Sequence, residues 1–168
     1  MNQILKMKIE KGQVAPGFEL FDSEKNKVNL TDLKGKNVLL LFFPLAFTSV
    51  CTAELCSVRD NLARYNELNA EVFGISVDSL QTLKRFKQDQ GLNFRLLSDF
   101  NKEVSQAYGS LYDIFSYNMK GVSKRAAFVI DKNGIVQYAE VLENASEQPD
   151  FKAIQSTLQN IQSIGHFE

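Results

Sequence analysis

Histidine and cysteine are scarce in this chain of 168 residues, and each scarcity narrows the chemistry open to it. The one histidine, His166, lies close to the C-terminus, where chains fray. A histidine-based hydrolytic triad or a His-rich metal site is therefore hard to assemble, and no metal or other cofactor is expected. The two cysteines, Cys51 and Cys56, are too few for a disulfide scaffold. The opening residues MNQILKMKIEKG lack the apolar core of a signal peptide, so the cytoplasm is the expected compartment. Thiols there stay reduced unless their bond is catalytic or sensing. No window approaches the roughly 18 apolar residues needed to span a bilayer. Lys and Arg number 19 against 20 Asp and Glu, with no long run of like charge, which argues against nucleic acid or a membrane surface as partner.

What is present is a hydrophobic content of 44%, enough to bury a core, and a length that suits one domain over residues 1–168. Val38-Leu39-Leu40-Leu41-Phe42-Phe43 is a continuous apolar run closed by Pro44, the pattern of a strand buried on both faces. From Thr52 onward, Leu55, Val58, Leu62, Tyr65 and Leu68 recur at spacings of three and four and predict one long amphipathic helix. Residues 71–77 read as a second central strand. A helix through Leu80, Leu83 and Phe86 follows, with Asp78 or Ser79 as its cap, and then a shorter one over residues 101–108. Residues 126–130 and 135–139 flank Asp131-Lys132-Asn133-Gly134 and predict a hairpin, with Asn-Gly supplying positive φ angles. Asp150 is placed to cap a closing helix carrying Phe151, Ile154, Leu158 and Ile161. This order predicts an α/β protein: a mixed central sheet with helices on both faces, in a thioredoxin-like layout.

Between the first strand and the long helix, Pro44-Leu45-Ala46-Phe47-Thr48-Ser49-Val50-Cys51 sets a cysteine in the first helical turn. Unpaired backbone N–H groups and the helix dipole favour thiolate over thiol at such a position. A free thiol is about 3% ionised at pH 7, so ionisation alone raises a rate at most about thirtyfold. A peroxidase site must also align the two peroxide oxygens and stabilise the charge that grows on the departing one. Thr48 and Arg125 carry suitable donors.

Pro44-x-x-x-Thr48-x-x-Cys51 resembles the active-site motif of the peroxiredoxins, and Arg125 before AAFVID resembles that family's distal arginine. The resemblance extends to PGFELFDSEKNKVNLTDLKGKNVLLLFFP, FGISVDS and YGSLYD, and so to most of the chain. It implies a thiol peroxidase with Cys51 as nucleophile, Thr48 bonded to sulfur and peroxide, and Pro44 as a shield against water. It further implies Arg125 as the cation and Glu54 as the residue that holds it. Taken singly, Thr48 also reads as a helix cap, Pro44 as a strand end, Arg125 as an edge charge and Glu54 as a complement to the helix dipole.

The spacing Cys51-x4-Cys56 resembles the bacterioferritin-comigratory-protein branch, in which the second cysteine resolves the sulfenic acid on the first. FFPLAFTSVCTAEL and ENASEQPDF resemble the alkyl hydroperoxide reductase E branch, many of whose members use one essential cysteine. The expectation is that Cys56 resolves Cys51 and that a thioredoxin or glutaredoxin-like donor recycles the disulfide. A one-cysteine peroxidase, a thioredoxin-like disulfide exchanger and a non-enzymatic module remain alternatives, with monomer and homodimer both open. Five residues of α-helix give a rise of about 7.5 Å and Cα atoms roughly 8–9 Å apart. A disulfide needs less than about 7 Å, so the helix must open for the bond to form.

Overall fold

The computed structural model describes residues 8–166, with side chains through Gln162; the side chain of His166 lies outside the described part. Seven strands form one mixed sheet: β1 (Glu19–Asp22), β2 (Lys27–Asn29), β3 (Asn37–Phe42), β4 (Ala70–Ser76), β5 (Arg95–Ser98), β6 (Arg125–Ile130) and β7 (Val136–Leu142). Their order is β2-β1-β5-β4-β3-β6-β7. β3, β4 and β5 run parallel, and antiparallel pairs complete both flanks.

Alternation along β3 builds both sides of the sheet. Leu39 and Leu41 face a core shared with four helices: α1 (Ser49–Asp60), α2 (Leu62–Glu67), α3 (Leu80–Gln90) and α5 (Phe151–His166). Val38, Leu40 and Phe42 face a second core closed by Phe18, Leu30, Tyr108 and the short α4 (Glu103–Ala107). Helices thus lie on both faces, unequally. On α5, Ile154 and Leu158 are fully buried and each contributes about 1.5–3 kcal/mol to docking the helix. Gly74 of β4 is required by packing, since a Cβ there would lie 2.7 Å from Leu96 Cδ2 and 3.3 Å from Phe43 Cε1.

The predicted long helix is two helices. It breaks at Asn61, whose backbone (φ −114°, ψ 14°) leaves helical geometry. The Asn61 amide donates to the Ser57 carbonyl, the kind of side-chain bond that competes with the helix ladder. The hairpin forms, but among its turn residues only Gly134 has positive φ. Asp131 Oδ1 accepts from the N–H groups of Asn133 and Ile135 and shapes a longer loop than a two-residue turn. Ser79 caps α3 by accepting from Thr82 N, and Asp150 accepts from Ala153 N. Asp78 does other work, described below.

Candidate active site

β3 delivers the chain to Pro44, which is buried, and residues 45–48 then turn into α1. The turn is fixed by Asp78, two residues past the end of β4, whose Oδ2 accepts from Ala46 N (2.8 Å) and from Ser76 Oγ (2.6 Å). Phe47 takes a left-handed conformation (φ 66°), and its exposed ring packs edge-on against Phe86 of α3. Thr48 is the N-cap residue by backbone geometry, yet its hydroxyl donates to the Leu45 carbonyl (2.7 Å) and caps no N–H.

Cys51 and Glu54 lie one turn apart on the buried face of α1, and Arg125, the first residue of β6, reaches them from the sheet. All three are buried, with Arg125 1% exposed. Its guanidinium distributes donors to three acceptors. Nη1 donates to Glu54 Oε1 at 2.7 Å, and Nη2 donates to Cys51 Sγ at 3.3 Å and to the Ala145 carbonyl at 2.9 Å. Nε donates to the same carbonyl at 3.2 Å. Burial opposes the charged guanidinium, but Glu54 and the Cys51 sulfur outweigh it and hold the Arg125 pKa above its ordinary value. Burial pushes Glu54 up, against the pull of Arg125, to about 7. Its second oxygen, Oε2, has no hydrogen-bond partner among the described residues.

Cys51, Glu54 and Arg125 therefore meet, whereas Thr48 bonds back into its own loop and Cys56 lies elsewhere on α1. Cys56 is half-buried and directs its thiol to Gln90 Oε1 at 3.5 Å; both cysteines are free thiols. Two contributors carry no legible sequence signal. The Ala145 acceptor is a backbone carbonyl, and its loop is held by Tyr112 Oη donating to Glu143 O and by the Lys124–Glu143 pair. The sequence offers Asp78 only as a possible helix cap; its tie to Ala46 depends on β3 and β4 being neighbours, a tertiary fact.

A cation bonded to a buried cysteine sulfur at a helix N-terminus is the arrangement that thiol nucleophiles need. Comparison with known proteins gives it a family. Residues 11–139 match the model of the AhpC/TSA family. The chain belongs to the AhpC/TSA family. It is 38% identical over 163 residues to the chloroplastic peroxiredoxin Q of rice, covering 97% of this chain and 71% of that protein. It is 41% identical over 133 residues to alkyl hydroperoxide reductase E of Mycobacterium tuberculosis, covering 77% and 84%. Among solved structures, peroxidoxin BcpB of M. tuberculosis superposes with a TM-score of 0.81 at 28% identity, over 91% of this chain and 98% of that one. Reduced 2-Cys peroxiredoxin of Plasmodium vivax gives 0.82 at 34% identity, over 95% and 85%. As a member of this family the chain is a peroxiredoxin, a thiol-dependent peroxidase with the thioredoxin-like fold. Among the described residues no helix is long and apolar enough to cross a membrane.

Proposed function

We propose that Cys51 is the peroxidatic nucleophile and that this chain reduces hydrogen peroxide and organic hydroperoxides as a single domain in the cytoplasm. The bond from Arg125 Nη2 to Cys51 Sγ carries the assignment. The thiolate attacks the nearer peroxide oxygen; an S–O bond forms, the O–O bond breaks, and the departing alkoxide or hydroxide is protonated to alcohol or water. The guanidinium favours the thiolate and stabilises the charge on the departing oxygen. Glu54 and the Ala145 carbonyl hold the guanidinium in place, and Pro44 limits water at the sulfur. Thr48 joins by turning its hydroxyl from Leu45 toward bound peroxide.

Cys56 resolves the sulfenic acid. Its thiol attacks Cys51 Sγ, an S–S bond forms, the S–O bond breaks, and the thiol proton leaves with the hydroxyl as water. A thioredoxin- or glutaredoxin-type dithiol then returns two electrons and two protons. Both cysteines lie on one continuous α1, roughly 8–9 Å apart at Cα by helical geometry, so α1 must open first. Mass spectrometry of protein treated with one equivalent of peroxide tests the sequence of steps. The wild type is expected to lose two hydrogens as a Cys51–Cys56 disulfide, and Cys56→Ser to pass through sulfenic to sulfinic acid. Cys51→Ser should take up no oxygen at position 51 and turn over no peroxide. A long-lived sulfenic acid beside a free Cys56 in the wild type would establish the one-cysteine mechanism instead.

A further inference from the structure

The second half of α1 is tied to the C-terminal end of α3 at one small cluster. Cys56 donates its thiol hydrogen to Gln90 Oε1 (3.5 Å), and Arg59, three residues on, donates Nη1 to the main-chain carbonyl of the same Gln90. Asn93 Nδ2 returns a bond to the Arg59 carbonyl at 3.2 Å. Gln90 is the last residue of α3, so its carbonyl is one of those that a helix end leaves without an intrahelical partner. Gly91, in the left-handed conformation (φ 60°, ψ 36°), turns the chain away and fixes this end. An arginine capping that carbonyl suits the negative end of the helix dipole.

One glutamine thus holds both the resolving thiol, through its side chain, and the residue one turn beyond, through its backbone. We propose that Gln90 and Arg59 are positioning residues that latch Cys56 to α3, and that release of this latch controls how fast Cys56 reaches the Cys51 sulfenic acid. The inference rests on the resolving role of Cys56. While the latch is closed, the thiol faces α3 and the helix keeps it beyond disulfide range of Cys51. When it opens, the Gln90 amide, the Arg59 guanidinium and the Asn93 amide all regain water, so each bond slows the opening by a modest factor without preventing it.

The chemical consequence is a competition. A sulfenic acid that waits for Cys56 meets a second peroxide and becomes a sulfinic acid, in which Cys51 carries two oxygens. A tight latch favours that oxidation and a loose one favours the disulfide.

Rapid mixing with peroxide, acid quenching and mass spectrometry measure the two steps separately: sulfenic acid formation, then loss of water to disulfide. Gln90→Leu removes the acceptor of the thiol, and Arg59→Met removes the bond to the Gln90 carbonyl. Each is expected to raise the disulfide-forming rate roughly three- to tenfold, the effect of losing about one hydrogen bond. The rate of the first step should stay within about twofold, and the peroxide concentration giving half sulfinic acid should rise in proportion. Arg59→Lys, which keeps a cationic donor, should remain closer to wild type than Arg59→Met does. General loosening of the fold would instead slow the first step as well, because the Arg125 contacts to Cys51 would be lost with it. Disulfide formation that is unchanged or slower in both Gln90→Leu and Arg59→Met overturns the latch and leaves the resolving role standing. Absence of any Cys51–Cys56 disulfide in the wild type overturns the resolving role itself, and the latch with it.

Discussion

Glu54→Gln isolates the most costly group in the site. The carboxyl is 0% exposed, receives one bond from Arg125, and leaves Oε2 without a partner among the described residues. Burial moves its pKa from 4.5 to about 7. At about 1.4 kcal/mol per pH unit, that displacement amounts to about 3 kcal/mol. The sign follows from proton binding. Between pH 4.5 and about 7 the folded protein holds a proton that the unfolded chain has released, so stability falls as pH rises through this window. The contribution is fully present below pH 4.5 and gone above about 7.

Glutamine does not titrate, and its Oε1 can still accept from Arg125 Nη1. Its amide nitrogen inherits the place of the unpartnered Oε2, which costs about 1–3 kcal/mol at every pH and leaves the slope untouched. Denaturant unfolding of both proteins from pH 4 to pH 8.5 gives the difference, wild type minus variant, in which the other carboxylates cancel. That difference should fall by about 3 kcal/mol across the window and level off on both sides. A flat difference would show that Glu54 keeps its ordinary pKa in the fold. A rising one would show that Arg125 outweighs burial and that Glu54 is held as a carboxylate throughout.

Arg125→Ala should lower the second-order rate with peroxide at least tenfold, because it removes the only donor that the described residues offer to Cys51 Sγ from the sheet side; stopped-flow peroxide consumption that matches wild type would make Arg125 structural. The same variant removes the cation that draws the Glu54 pKa down, so its stability in denaturant unfolding should go on falling above about pH 7, where the wild-type contribution of Glu54 has levelled off. Gly74→Ala should lower Tm by roughly 2–12 °C in a thermal melt, since its Cβ meets the side chains of Leu96 and Phe43, both fully buried in the packed core. An unchanged Tm would show that β4 shifts to make room.

The parts of this fold legible in the sequence are those whose pattern is dense. β3 and β4 are apolar along nearly their whole length, and α3 carries Leu83 and Phe86 under a serine cap, so burial and periodicity agree. β1, β2 and β5 carry no such pattern. They are three or four residues long, and β1 alternates poorly between exposed and buried positions, so their strand character comes from the neighbours they pair with. The break at Asn61 was hidden because Leu62, Tyr65 and Leu68 keep the helical spacing across it. In the site, Cys51, Glu54 and Arg125 are legible only through the motif around Pro44-x-x-x-Thr48-x-x-Cys51 and the arginine before AAFVID, since alone Glu54 reads as a complement to the helix dipole and Arg125 as an edge charge, and their burial together is a tertiary fact. The Ala145 carbonyl and the Asp78 tie are not legible, because a backbone acceptor looks the same in every residue, and a loop anchor depends on which strands are adjacent.

The same geometry sets what α1 must give up if the two cysteines are to join. A helix of 12 residues is marginal in isolation, so α1 persists through what it touches. Leu55 and Val58 are fully buried, and each is worth about 1.5–3 kcal/mol; they keep the middle of the helix seated. At the first end, Cys51 lies under a guanidinium that is also bonded to Glu54 and Ala145, and drawing it out would remove the sulfur from a buried cation that keeps its other two acceptors. At the other end, Cys56, Arg59 and Asn93 are held by polar bonds near the surface, all replaceable by water. If Cys56 resolves Cys51, the polar bonds of Cys56 and Arg59 give way readily, but because Cys56 sits between Leu55 and Val58 part of their burial must be given up as well before the two sulfurs can meet.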